Sequence, residues 1–282
     1  MVTVSAVPLE TARAYDLEFR FPAGDTAVGA SLRDYGEFAR VILDFLVDHA
    51  DEAGALLDVG ANIGAISLPF AHRRPGWKVL AIEAHAELAD ILEANAAANG
   101  LANLSVVRAA AGAESGVTEF PAVPLVGERN FGDIGFDSVA EVMRPVPMVT
   151  LDAISTRDVR LVKIDVEGFE PQVLAGAAAL IAARRAVWLV EATIQHPEAT
   201  AEVIRTFQAA GYEVCWFFAP FATPANGRAA PETPGRGDSN IVALPPGTGE
   251  QWGLTRVAGP DQQRPGGIDA YPYLARYGYR PG

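Results

Sequence analysis

The stretch LLDVGANIG, residues 56–64, decides the fold of this chain. A short apolar run ends in an acid and a glycine, and a segment of helical character follows at residues 63–73. Gly60 lets the backbone turn sharply and approach a ligand closely, and Gly64 lets the helix pack near the strand. We therefore predict a strand, a tight turn and a helix whose first backbone N–H groups can face a polar ligand. Glycines that serve only the turn are the alternative interpretation.

The same alternation of apolar runs and helical segments continues toward the C-terminus. Further strands are predicted at residues 77–84, 104–110, 159–166, 186–192, 212–218 and 239–245. Helices are predicted at residues 86–98, 171–183 and 198–210. Apolar runs separated by helices need crossover connections, so we predict an α/β fold with a parallel sheet covered on both faces.

The last two predicted strands are joined differently. Residues 219–238 contain four prolines and three glycines, and this composition excludes a crossover helix. A long hairpin loop is the better prediction, and it makes one strand antiparallel. Loops of about 20 residues are often lids or binding loops.

We divide the chain into three parts. Residues 1–50 form an N-terminal cover segment, with a short strand predicted at 15–21 and an amphipathic helix at 36–50. Residues 51–246 form the α/β domain, and residues 247–282 form a tail rich in Gly, Pro and Tyr. Four tyrosines of this tail could serve a subunit contact in a homodimer, namely Tyr271, Tyr273, Tyr277 and Tyr279.

Composition narrows the functional class. The chain has 282 residues, of which 50% are hydrophobic, and its single cysteine excludes an intrachain disulfide. Lys and Arg number 22 against 35 Asp and Glu, and this net charge of −13 argues against nucleic acid or an anionic membrane as the main partner. No apolar run reaches the ~18 residues of a membrane span, and the first residues lack the pattern of a secretory signal. We expect a cytoplasmic enzyme or small-molecule binder.

The turn at residues 58–64 discriminates between cofactors. A dinucleotide site prefers G-x-G-x-x-G, whose middle glycine admits a pyrophosphate, whereas this chain has Asn62 there. Asp58 would repel a phosphate but suits a cationic ligand. Glu83 ends the next predicted strand, where an acid can accept both hydroxyls of a ribose. A solvated strand-end carboxylate is the alternative for Glu83.

A second group of acids lies in KIDVEGFE, residues 163–170. Lys163 interrupts an apolar strand, so it needs an acidic partner or a carbonyl. Asp165 and Glu167 crowd the end of that strand and are candidates for chemistry. Glu170 can equally be a helix-start residue favoured by the helix dipole.

Other polar residues are expected at the same edge of the sheet. Glu191 ends a strand, and His196 follows it as a candidate proton acceptor, although a lone histidine in a loop is more often incidental. The stretches NFGDIGFD at 130–137, with Asn130, and RDYGE at 33–37, with Tyr35, are either cover loops or plain surface.

The ordered set of motifs resembles the FkbM family of S-adenosylmethionine-dependent methyltransferases. The set consists of DVGANIG, the acid at position 83, NFG at 130–132, VTLDAI at 149–154, KIDVEGFE followed by VLAGA, and SNIVALP at 239–245. The resemblance implies the Rossmann-like class I methyltransferase fold. That fold is a seven-stranded, mostly parallel sheet with helices on both faces and an antiparallel last strand.

The resemblance also implies roles for particular residues. The turn wraps the methionine part of S-adenosylmethionine, and Glu83 holds the ribose; the implied cofactor-binding residues are Asp58, Gly60, Asn62, Gly64, Glu83, Ala110 and Asp165. The family typically methylates hydroxyl oxygens of sugars, polyketides and other natural products, so a small-molecule or glycan acceptor is expected. Candidate acceptor-binding residues are Asn130, Glu167 and Tyr35.

Methyl transfer from a sulfonium needs alignment and a proton acceptor. We predict Asp165 and His196 as candidate bases, with Glu191 orienting a donor, and no bound metal. One alternative is a metal-dependent O-methyltransferase in which Asp165, Glu191 and another acid bind Mg²⁺. The others are an NAD(P)-binding oxidoreductase and a cofactor-binding subunit without catalysis of its own.

Overall fold

A large mixed sheet forms the centre of the protein. The structure is a computed structural model, and it describes residues 7–51, 53–231, 236–248 and 251–280. The strands are, in chain order, β1 (Leu9–Ala14), β2 (Leu17–Pro22), β3 (Ala55–Val59), β4 (Lys78–Glu83), β5 (Leu104–Arg108), β6 (Ala110–Ala111), β7 (Gly116–Pro121), β8 (Met143–Val149), β9 (Val159–Ile164), β10 (Val187–Glu191), β11 (Glu213–Pro220), β12 (Gly237–Leu244) and β13 (Thr255–Arg256).

Helices connect most of these strands. They are α1 (Val28–Tyr35), α2 (Arg40–Asp48), α3 (Ser67–Arg73), α4 (Ala86–Ala98), α5 (Leu151–Ile154), α6 (Glu170–Ala175), α7 (Ala178–Ala182) and α8 (Pro197–Ala209), with two 3₁₀ turns at Ile268–Ala270 and Pro272–Tyr277. No helix among the residues described here is long and apolar enough to cross a membrane.

The central sheet has the strand order β13-β11-β12-β10-β9-β3-β4-β5. Neighbours among β3, β4, β5, β9 and β10 are parallel, whereas β12 is antiparallel to both β10 and β11. Every residue of β3 and β10 is buried, as expected for strands covered on both faces. The predicted Rossmann-like class I methyltransferase fold with an antiparallel last strand is confirmed.

The sheet has eight strands in the described part of the chain instead of the predicted seven. The extra strand is β13, which pairs two residues with the outer edge of β11. An edge strand presents unpaired backbone N–H and C=O groups, and the C-terminal tail covers part of that edge. The predicted hairpin between β11 and β12 is present, and residues 232–235 of its loop lie outside the described residues.

Several predicted elements have different bounds. The helix predicted at 36–50 begins at Arg40, because Ala39 before it adopts a left-handed φ of 44°. The helix predicted at 171–183 divides into α6 and α7 at Gly176, where a Cβ would lie 2.0 Å from the carbonyl oxygen of Gly112. This approach leaves no room for a side chain at position 176. The helix is interrupted at the next residue, Ala177, whose φ of −123° and ψ of 20° are not helical.

A second sheet was not predicted. The strand predicted at 104–110 ends at Arg108, and Ala110–Ala111 instead pairs with β8, which in turn pairs with β7. This three-stranded sheet and the loop at 122–142 continue from the carboxyl edge of the main sheet. Its strands are largely exposed, so their sequences lack the apolar pattern that identifies a buried strand.

The two ends of the chain pack on the central domain. The strand predicted at 15–21 is β2, which forms a hairpin with β1, and Asn95 of α4 bonds both backbone groups of Arg20. The division at residues 50 and 246 stays a prediction, and residues 1–6, 249–250 and 281–282 lie outside the described part.

The tail tyrosines are buried within the chain, which corrects their predicted role as a subunit contact. Tyr273 stacks on Phe217 with ring centroids 5.0 Å apart, and its hydroxyl accepts the N–H of Phe218. The hydroxyl of Tyr277 donates to Asp44, and that of Tyr279 donates to the carbonyl of Ala222. These rings are therefore not available to a second copy, and the homodimer stays a prediction.

Gly60 shows why the central turn requires glycine. It has a φ of +74°, and a Cβ there would lie 1.8 Å from the carbonyl oxygen of Asp165. Gly100 has a similar φ of +66°, but its Cβ would meet nothing within 4 Å. Substitutions at these two glycines therefore distinguish the free-energy cost of a left-handed backbone from the cost of a steric clash.

We predict that Gly60→Ala lowers the free energy of unfolding by at least ~2–4 kcal/mol, since both conformation and space forbid the methyl group. The control Gly100→Ala should cost only ~1 kcal/mol, the price of a left-handed φ. Urea unfolding of both variants measures the difference. Equal losses would show that the approach of the two backbones is not restrictive.

Candidate active site

The register of β3 and β9 places a buried lysine between two acids. Asp58 of β3 lies directly opposite Lys163 of β9. The lysine Nζ is 3.3 Å from Asp58 Oδ1 and 3.1 Å from Asp165 Oδ2. Ser67 donates its hydroxyl to the other oxygen of Asp58 at 2.5 Å. The sequence predicts an acidic partner or a carbonyl for Lys163, and the structure gives it two acidic partners.

Burial and pairing act on Lys163 in opposite directions. Only 4% of Lys163 and 0% of Asp58 are exposed. Burial alone would lower the pKa of Lys163, but the nearby carboxylates of Asp165 and Asp58 raise it above its ordinary value. The lysine is therefore charged and holds the ends of β3 and β9 together.

Glu83 is anchored at the end of β4 by backbone donors. Its Oε2 accepts the N–H of Asn62 and its Oε1 accepts the N–H of His85, both at 2.8 Å. Asn62 has a left-handed φ of 52°, and its side-chain oxygen accepts the N–H of Ile63. The acid thus fixes the turn at residues 58–64 while two lone-pair positions remain for ligand hydroxyls.

The pKa of the Glu83 carboxyl group lies near neutral pH. Burial raises the pKa of Glu83 to about 7, although the N–H groups of His85 and Asn62 favour its ionised form. A carboxyl group with this pKa changes charge in the physiological range.

A cavity runs along the carboxyl edge of the sheet between two different environments. Near the ends of β4 and β5 it is lined by Glu83, Ala84, Leu88, Ala109, Ala110 and Ala111. At the other end it is lined by Asn130, Asp133, Asp165, Glu167, Phe221 and Asp238. The turn at Asp58–Asn62 lies between the two ends. One end is mostly apolar, and the other is rich in carboxylates.

The structure brings most of the predicted site residues to this cavity. Those that line it are Asp58, Gly60, Asn62, Glu83, Ala110, Asn130, Asp165 and Glu167. Four predicted residues are not among the lining residues: Gly64, Tyr35, Glu191 and His196. Gly64 instead faces Leu68 and Leu92, because a Cβ there would lie 2.1 and 2.5 Å from their side chains.

Glu170 and His196 support the turn after β9. Oε1 of Glu170 accepts the N–H groups of Val166 and Gly168, so this acid caps the turn, as its helix-start alternative predicts. A Cβ on Gly168 would lie 2.8 Å from His196 Nδ1. The imidazole therefore packs against the turn that carries Glu167.

Sequence reasoning missed Asp238 and a cluster of aromatic rings. Asp238 lies at the start of β12, beside the end of β10, because β12 is antiparallel. Burial and the charge of Asp165 raise its pKa well above its ordinary value. Phe136 meets Phe120 edge to face at a centroid distance of 5.1 Å and contacts the tilted ring of Phe169 at 4.2 Å. The start of a strand and an irregular loop carry no periodic signal.

Three features define a class I methyltransferase. They are a mostly parallel sheet with the antiparallel strand β12 between β10 and β11, a glycine turn after β3 and an anchored acid at the end of β4. The chain belongs to the FkbM methyltransferase family, since the Methyltransferase FkbM domain matches residues 58–214, more than half of its length. Its methyl donor is S-adenosylmethionine. The anchored carboxyl of Glu83 fits a ribose diol, and both Glu83 and Gly60 line the cavity.

Solved structures with a similar fold include three methyltransferases. They are a methyltransferase FkbM from Methylobacillus flagellatus (17% identity, TM-score 0.44, 68% of this chain and 44% of that one), a precorrin-6y C5,15-methyltransferase from Geobacter metallireducens (14%, 0.47, 73% and 87%) and a SAM-dependent methyltransferase from Agrobacterium tumefaciens (14%, 0.47, 86% and 72%). The chain spans less than half the length of the first. Among curated proteins, none matches the sequence.

Removing the lysine at the centre of the site tests the ion pair. We predict that Lys163→Met lowers the free energy of unfolding by about 3–5 kcal/mol, because it leaves Asp58 charged and buried without its cation. The double variant Lys163→Met/Asp58→Asn should regain part of this loss in urea unfolding. A single variant as stable as the wild type would contradict the argument.

The raised pKa of Glu83 predicts that the affinity of the protein for S-adenosylhomocysteine depends on pH. An ionised carboxylate would accept both ribose hydroxyls, whereas the protonated group would lose an acceptor, so affinity should rise with pH and level off above about 7. Calorimetry from about pH 5.5 to about pH 8.5 should show up to about tenfold per unit below the pKa. Glu83→Gln should bind weakly and without this dependence. A flat wild-type profile would remove the proposed role of the ionised acid.

Proposed function

We propose that the protein transfers a methyl group from S-adenosylmethionine to a hydroxyl oxygen of a sugar or another natural-product acceptor. The observation that carries this proposal is the single cavity that joins the anchored Glu83 to a group of carboxylates around Asp165. The nucleoside would occupy the end of the cavity near Glu83, and the acceptor would occupy the end near Asp165. The turn with Gly60 lies between these two ends.

Different residues along this edge of the sheet would bind different parts of the cofactor. Glu83 would hold the ribose diol, and the apolar wall at Ala109–Ala111 would face the adenine with backbone groups. S-adenosylmethionine supplies an electrophilic methyl group on a positively charged sulfur. Asp58 and Asp165 carry negative charge on the same edge, which favours a cation before transfer over the neutral product after it.

The carboxylate end suits a hydroxylated acceptor. As the acceptor oxygen forms its bond to the methyl carbon, the carbon–sulfur bond breaks and the hydroxyl proton must leave. Asp165 lines the cavity and is held in place by Lys163, so it is the group we assign to this proton. Alignment of acceptor and donor supplies the larger share of the rate, of the order of 7–11 kcal/mol. Asn130 and Glu167 line the same end and can bond further hydroxyls.

Two predicted catalytic residues act through others in this proposal. His196 packs against Gly168 and would position the turn that carries Glu167. Glu191 is buried beside Asp165, where it would orient the neighbouring acids. Tyr35 remains a predicted acceptor contact, which would need a larger ligand than the lined cavity accommodates. The cytoplasmic location and the absence of nucleic acid among the partners also stay predictions.

The NAD(P)-binding alternative is disfavoured by the turn itself. Asn62 occupies the position of the middle glycine, and its backbone N–H is already bonded to Glu83. Asp58 is fully buried at the strand end, where it would oppose a pyrophosphate.

The proton-acceptor role of Asp165 is tested by turnover. With S-adenosylmethionine and a panel of hydroxylated sugars, we expect methylated product and S-adenosylhomocysteine by mass spectrometry. Asp165→Asn should lower kcat by about 10²–10⁴-fold, the range of general-base catalysis, with a smaller change in KM. The control Glu141→Gln alters an exposed acid outside the cavity and should leave kcat unchanged. Full turnover by Asp165→Asn would exclude this assignment, and turnover with amine acceptors only would exclude O-methylation.

A further inference from the structure

Three carboxylates from two neighbouring strand ends converge beside the cavity. Asp165 and Glu167 follow β9, and Glu191 is the last residue of β10. One oxygen from each of the three lies within 4.8 Å of the others. Two oxygens bound to one Mg²⁺ or Ca²⁺ ion are separated by at most about 4–5 Å, since each bond is about 2.0–2.6 Å long. The three acids can therefore share one ion.

Glu191 is unusual within this set. It is 5% exposed, and its Oε2 has no hydrogen-bond partner among the residues that the structure describes. A buried carboxylate without a donor or a cation is costly in free energy, because nothing replaces its hydration. An oxygen in this state indicates a ligand that the side chains of the chain do not themselves provide.

The charge around the three acids is not balanced by the ion pairs of the described ranges. Lys163 reaches Asp165, but no ion pair there involves Glu167 or Glu191. A cation at this point would relieve the repulsion among three carboxylates that lie this close together.

The turn that carries Glu167 is already rigid. Glu167 has a left-handed φ of 53°, and the N–H groups on either side of it are held by Glu170. His196 packs against the following Gly168. The backbone that carries Glu167 is thus held in position before any ligand arrives.

We propose that Asp165, Glu167 and Glu191 bind one divalent cation of the oxygen-preferring class, Mg²⁺ or Mn²⁺, beside the acceptor end of the cavity. A protonated amine of the acceptor is the competing occupant. The ion is favoured because Glu191 is buried and does not line the cavity, so a bare ion can reach its oxygen whereas an amine attached to a larger molecule cannot.

The ion would also explain how a hydroxyl is activated, and this part rests on the proposed function. Three protein oxygens leave about three positions of an octahedral ion for water or for acceptor oxygens. Each acid gives the ion one oxygen, which leaves the second oxygen of Asp165 to accept the proton. A hydroxyl bound to the ion loses this proton more easily, because the ion stabilises the developing negative charge. An acceptor with two adjacent hydroxyls would fit such a site best.

Binding of Mn²⁺ to the full chain, followed by electron paramagnetic resonance without S-adenosylmethionine, tests the site. We expect one ion per chain, and Glu191→Gln should weaken its binding by at least about tenfold. The matched control Glu198→Gln changes an exposed acid at the start of α8 and should bind as the wild type does. Circular dichroism verifies that the variants are folded.

A second measurement keeps the test decisive if a variant is unstable. Mg²⁺ should raise the Tm of the wild type in a concentration-dependent manner, because it binds only the folded chain. No Mn²⁺ binding by the wild type, or equal binding by Glu191→Gln, would overturn the proposal. Displacement of Mn²⁺ by methylammonium at similar concentration would favour the amine instead and overturn it too. Binding of S-adenosylhomocysteine by calorimetry does not depend on this ion, so failure here is distinguishable from failure of the proposed methyl transfer.

Discussion

The buried contact between Lys163 and two acids is the constraint on which the site depends. The register of β3 and β9 places Asp58 opposite this lysine, and Asp165 follows one residue beyond the strand. A charged lysine in the core is tolerable only because both carboxylates compensate it. The ion pairs therefore fix where the glycine turn and the acid-bearing turn meet, and the backbone at Gly60 approaches that of Asp165 as a consequence.

Several acidic residues lie close together at the carboxyl edge of the central sheet. In a chain of net charge −13, acids are common, but here they are buried and close together. Such an arrangement costs stability when it is unpaired, and buried titratable groups of this kind cluster at functional sites. A sulfonium donor at the turn and a divalent ion beside Glu191 would use this charge in two different ways. The neutral product of transfer would lose the first of these attractions.

Some site residues are predicted from a local sequence motif, and others only from their position after a strand. These two groups differ in whether they line the cavity. The acid at Glu83 and the turn around Asn62 lie together at the cavity, because a strand, a turn and the next parallel strand leave little freedom. His196 also follows a strand end, yet it packs on Gly168 and does not line the cavity. A residue in a loop can point either way, and no pattern in the sequence distinguishes the two directions. Asp238 was missed because it begins a strand whose reversal places it at this edge.

The sequence by itself determined the alternation of strands and helices, the antiparallel final strand and the family, because periodicity and short motifs are local properties. Only the tertiary structure decided which acids face each other, that the tail tyrosines are internal, and that an eighth strand covers the edge of β11. Those outcomes depend on contacts between residues that are far apart in the chain. Their register and direction follow from the packing of the whole sheet, which no single segment specifies.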